Sequence, residues 1–95
     1  MAREGRLAVT VEIDMRETEG MGPQQLADHI VGTVRAKAEE EVAAVPGAQL
    51  RTDRAPGLDV KRGEHKLLGL SFWLVWSNWY VWLPEHAEVD EVAAP

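Results

Sequence analysis

The chain has 95 residues, no cysteine, and sixteen acidic against ten basic side chains, for a formal net charge of −6. A chain of this length folds as one domain with a small core, burying a little over ~60% of its unfolded surface. The missing cysteines exclude a disulfide framework, thiolate chemistry and a Cys-based zinc site, and the acidic balance argues against a nucleic-acid partner, whose phosphates need basic surface at least locally.

Met1-Ala-Arg-Glu-Gly-Arg6 leads into an alternating pattern rather than an apolar leader, so the expected location is the cytoplasm or a virion. Residues 6–15 place Leu7, Val9, Val11, Ile13 and Met15 on one side and Ala8, Thr10, Glu12 and Asp14 on the other. That period of two predicts a strand buried on one face and wet on the other. Residues 16–22 are polar, end in two glycines and read as a loop. Pro23 suits the first position of a helix with Gly22 as N-cap. The apolar positions Leu26, Ile30, Val34, Ala38, Val42 and Val45 then form one stripe on a helix of about six turns. Pro46-Gly47 stops it.

Residues 48–66 predict two short extended pieces, Leu50 with Thr52 and Leu58 with Val60, around a turn at residues 54–57, with a second turn at Arg62-Gly63. Five of the ten basic residues fall here: Arg51, Arg54, Lys61, Arg62 and Lys66. On an edge strand such charges also discourage unwanted pairing.

The stretch Leu67 to Leu83, LLGLSFWLVWSNWYVWL, holds all six aromatic residues and no charge. As a membrane helix its seventeen residues would span about 26 Å, short of a ~30 Å hydrocarbon core. Its tryptophans flank a polar Ser77-Asn78 instead of sitting at the two ends. A soluble helix this apolar all round would need burial on every side. A single strand would reach ~56 Å, far beyond the usual length. A hairpin turning at Ser77-Asn78 is therefore expected. It sorts Leu68, Leu70, Phe72, Leu74, Trp76, Trp79, Val81 and Leu83 onto a face against the helix. Gly69, Ser71, Trp73, Val75, Tyr80 and Trp82 fall on the other. After Pro84 the acidic tail reads as an arm.

The residues that could carry chemistry do not assemble into a catalytic, cofactor or metal pattern. Gly20-Met-Gly22 lacks the third glycine of a dinucleotide loop and the Lys-Ser/Thr of a P-loop. Glu12, Asp14, Glu17 and Glu19 read as solvated charge, and neither Ser71 nor Ser77 lies in a nucleophile elbow. His86, Glu88 and Asp90 alternate in the tail, a weak pattern for a divalent cation.

The expected architecture is α+β: one long helix packed on one face of a small, mainly antiparallel sheet in β-α-β-β-β order, with an aromatic C-terminal hairpin. Residues 1–83 form the domain and 84–95 the acidic arm. Trp73, Val75, Tyr80 and Trp82 are the expected partner interface. An exposed face carrying three aromatics of ~150–250 Å² each exceeds what a solitary soluble domain leaves open. The expected function is a non-enzymatic assembly subunit without cofactor, forming a homo-oligomer or docking on other subunits. The order strand, long helix, strands is similar, at the level of fold alone, to small phage head–tail and tail-end proteins, and seven Arg to three Lys with one Asn fits a GC-rich coding sequence. The alternative is a binding module in which the aromatic face and adjacent basic segment hold a ligand or single-stranded nucleic acid.

Overall fold

The structure, a computed structural model, describes residues 3–84, so the acidic arm and its His86, Glu88 and Asp90 lie outside the described residues. The first strand, β1 (Arg3–Asp14), turns its odd residues inward as its alternation requires, with Val9 and Ile13 buried. At its end the Asp14 carboxylate accepts a hydrogen bond from the Arg16 amide at 2.9 Å and starts a 3₁₀ turn, Met15–Thr18. The helix α1 (Pro23–Ala43) begins where Pro23 predicts, and the Gln25 side chain accepts from the Gly22 amide at 3.3 Å. Its stripe Ile30, Val34, Ala38 and Val42 is buried, while Val45 lies beyond the helix end and is exposed. Gly47 takes a φ of 81°, the left-handed conformation that lets the chain leave the helix at Pro46-Gly47.

Three further strands complete the order: β2 (Gln49–Leu50), β3 (Gly57–His65) and β4 (Leu70–Leu83). Strand β4 is the centre of a four-stranded antiparallel sheet, with β1 along one side and β2 and β3 along the other. The α+β class, the single helix on one face and the β-α-β-β-β order are as expected.

Two sequence expectations are overturned. Ser77-Asn78 is not a turn: residues 70–83 form one continuous strand, and β1 pairs with residues 72–83 of it in unbroken register from Arg3 opposite Leu83 to Asp14 opposite Phe72. At ~3.3 Å per residue this strand accounts for the 46 Å long dimension of the molecule. Its length is supported because a twelve-residue partner satisfies its backbone on one side and β3 with β2 do so on the other. Ser77 is buried for a specific reason. Its hydroxyl donates to the Val9 carbonyl at 3.0 Å and accepts from the Trp79 indole N–H at 2.8 Å, so neither buried polar group is stranded. Asn78 sits on the opposite face between Ala8 and Gly57, two small neighbours that leave room for it.

Arg62-Gly63 is not a turn either. The hairpin joins β3 to β4 at residues 66–69, with Gly69 at a φ of 65°. Gly63 stays within β3 because the Phe72 ring of the neighbouring strand lies over it, and a Cβ there would collide with that ring. The core closes between α1 and the odd residues of β1 and β4: Val9, Ile13, Ile30, Val34, Val75 and Trp79.

Candidate functional site

With β4 unbroken, parity alone assigns its side chains. Trp73, Val75, Ser77, Trp79 and Val81 point toward α1; Leu70, Phe72, Leu74, Trp76, Asn78, Tyr80 and Trp82 point away. The four residues expected to form an interface therefore separate. Val75 is fully buried in the core, which removes it from any surface. Trp73 packs against that core and its indole N–H donates to Thr18 Oγ1 at 3.1 Å. Tyr80 and Trp82 lie on the open face as expected. Leu70, Phe72, Leu74 and Trp76, assigned to the core by the hairpin reading, join them there. The signal that would have found Trp76 is Ser77 itself. A serine two residues before a tryptophan on one strand face can accept the indole proton, which makes burial as natural as a turn.

Neighbouring strands set the chemistry of this open face. Arg6 of β1 lies 5.4 Å from the Tyr80 ring centre and Lys61 of β3 lies 5.3 Å from that of Trp76. The segment after β2 brings Arg51 to 4.3 Å over Trp82 and Arg54 to 3.8 Å over Tyr80. These cation–π contacts are assembled by register, not by proximity in sequence. Acids hold two of the cations in place. Glu4 accepts from Arg51 at 2.7 Å and from Arg54 at 3.0 Å, and Asp53 accepts from Arg51 at 2.6 Å. Hydrogen bonds from Arg51 hold the Asp53 carboxyl below its ordinary range and in turn raise the Arg51 guanidinium. Toward the hairpin tip, His65 stacks on Phe72 with ring centres 4.5 Å apart and bonds Glu12 across the sheet at 3.1 Å.

Trp76 and Trp82 remain 36% and 37% exposed. For side chains that bury ~150–250 Å² each, that leaves under about 100 Å² apiece. The face is therefore a strip of modest width, interrupted by Asn78 between Trp76 and Tyr80. Two other apolar features lie outside it. A groove of about 370 Å³ runs between α1 and β3, lined by Leu26, Ile30, Val31, Leu58, Val60 and Trp73 among others. Leu67 and Leu68 stand out at the hairpin tip.

The carboxylates singled out in the sequence stay apart: Glu12 pairs with His65, Asp14 with Arg16, and Glu17 lies 3.9 Å from His29. Among the described residues no group of three or more His, Asp or Glu side chains could hold a metal ion, and no helix is long and apolar enough to cross a membrane. Compared with protein-family models, curated proteins and solved structures, the chain matches none.

Proposed function

We propose that the protein is a non-enzymatic assembly subunit that docks on copies of itself or on other subunits, a phage particle being one such setting, through the open face of its sheet centred on Trp76, Tyr80 and Trp82. One observation carries the reading. The solvent side of an antiparallel sheet is ordinarily polar, yet here the central strand lines it with Leu70, Phe72, Leu74, Trp76, Tyr80 and Trp82, the last two beneath the guanidinium groups of Arg54 and Arg51. Tyr and Trp stiffened by stacked arginines lose little side-chain freedom on docking, which is the economy found at protein interfaces. The exposed Leu67 and Leu68 add a second contact point of the same kind.

The interleaved cations favour a second reading, an aromatic platform for single-stranded nucleic acid. It is weaker because Arg51 and Arg54 are already committed to Glu4 and Asp53, and their guanidinium groups occupy the ring faces on which bases would stack.

Sedimentation of the full chain, alone and with candidate partner subunits, tests the first reading. The paired variant Trp76→Lys with Trp82→Lys is expected to stay folded by circular dichroism and to lose association. A wild-type chain that stays monomeric and captures no subunit would overturn the reading, as would association untouched by the paired variant. Tryptophan quenching by oligonucleotides with a steep salt dependence would instead support the second.

A further inference from the structure

The outer edge of β1 carries an inference that goes beyond the open face. Among the described residues, strand β1 pairs on one side only, with β4, and its twelve residues run without a bulge or a proline. Edge strands of this length normally carry a device that blocks further pairing: a bulge, a proline, charged side chains, an inward-pointing charge or a covering segment. β1 keeps its charges near its two ends, Arg3, Glu4 and Arg6 at one and Glu12 and Asp14 at the other, with none from Leu7 to Val11. The inward positions of β1 between Leu7 and Ile13 are all apolar, and the 3₁₀ turn that follows is tied back toward β4 by the Trp73–Thr18 hydrogen bond. Along its open face β1 carries Glu4, already paired to Arg51 and Arg54, and Arg6 near its start, and Glu12 and Asp14 at its end.

We infer that β1 pairs antiparallel with β1 of a second copy across a two-fold axis at Thr10, joining two sheets into one of eight strands. An axis perpendicular to the sheet keeps both helices on one side and both aromatic faces on the other, which restricts pairing to residues of equal parity. Charge then selects among the registers. Centring on Ala8 sets Glu4 against Glu12, and centring on Val9 sets Arg6 against Glu12 twice but also Glu4 against Asp14 twice, so its charges cancel. Centring on Val11 offers no opposite charges. Centring on Glu12 sets that residue against itself. Centring on Thr10 sets Arg6 against Asp14 twice, Leu7 against Ile13 and Val9 against Val11, with no like-charged pair. Asp14 is already held by the Arg16 amide, Nε and Nη2, so Arg6 of the second copy shares that carboxylate with Arg16. The two open faces become one continuous surface of twice the area.

The absence of cysteine makes a direct test possible. Single substitutions Ala8→Cys, Thr10→Cys and Glu12→Cys are placed on the exposed face of β1 in the full chain and oxidised mildly. Across the proposed axis two residues at position 10 fall within the 4.4–6.8 Å Cα separation of a disulfide, whereas residues at 8 or 12 lie ~13 Å from their own counterparts, so Thr10→Cys is expected to cross-link about tenfold faster or more. Adding Arg6→Glu is expected to slow that cross-linking, with circular dichroism confirming the fold. Equal rates at all three positions, a maximum at 8 or 12, or no cross-linked dimer would overturn the pairing. Repeating the Thr10→Cys experiment with Trp76→Lys and Trp82→Lys separates the two surfaces. Unchanged cross-linking supports an edge contact independent of the open face, and its loss would overturn that independence.

Discussion

The two faces of β4 are built from the same residue types and meet opposite fates. Trp79 is 5% exposed and Trp76, three positions earlier, is 36% exposed. Trp79 points under α1, with its indole N–H held by Ser77 and its ring among Val9, Ile30, Val34 and Val75. Trp76 points the other way, between Thr10 and Asp59 of the flanking strands, with Lys61 near its ring. Hydrophobicity does not separate them; parity does. The helix side is closed by shape and by hydrogen bonding, and the open side is held by cations over rings. The first arrangement stabilises the fold, and the second leaves apolar surface available to a partner.

Breaking this comparison at its strongest point gives the largest expected effect. Trp79→Ala should cost about 3–5 kcal/mol in urea denaturation, the usual range for emptying a large buried site. Trp76→Ala should cost less, about 1–3 kcal/mol, because a third of that side chain already faces solvent. Comparable losses from both would mean that the two faces are not energetically distinct.

Ser77 and Asn78 sharpen the contrast at adjacent positions. Ser77→Ala strands the Trp79 indole N–H in the core and should cost about 1–3 kcal/mol. Asn78→Ala should stay within about 0.5 kcal/mol, since the exposed Asn78 side chain has neither role. The reverse ranking would restore the turn that the sheet register excludes.

Toward the hairpin tip, Gly63→Ala should cost about 1–3 kcal/mol through overpacking against Phe72, and Phe72→Ala should relieve that penalty in a double-mutant cycle. Additive losses would show that the ring does not impose the glycine. The smallest effect concerns pH. The Asp53 carboxyl is depressed by hydrogen bonds from Arg51, so its favourable contribution is present above the unfolded value near ~3.9 and is lost as pH falls through the lower folded value. The Arg51 side-chain resonance in an NMR titration should hold steady from neutral pH to about pH 5 and move only below about pH 4. Movement well above about pH 5 would mean that a group other than Asp53 sets the change.

Local pattern made part of this protein legible. The inward set Leu7, Val9, Val11 and Ile13, the Gly22-Pro23 helix start, the stripe from Leu26 to Val42 and the stop at Pro46-Gly47 all follow from residue periodicity and backbone preference within a few neighbours. The composition of the aromatic strip was legible too, as were Tyr80 and Trp82 on its open side. The side on which Trp73, Val75 and Trp76 lie was not. Ser and Asn favour turns when judged alone, and only a partner strand that pairs continuously across both of them makes an unbroken passage the better solution. One assumed turn reversed the parity of everything before it, because a strand has a period of two and a break inverts the faces. The cations over the rings could not be read at all, since Arg6, Arg51, Arg54 and Lys61 come from three other segments and meet the aromatics only through register. Sequence by itself determined the first strand, the helix with its start and its buried stripe, and how apolar the last stretch is. Tertiary structure decided which half of the longest strand is core and which half is surface, because that choice rests on long-range pairing rather than on any neighbour in the chain.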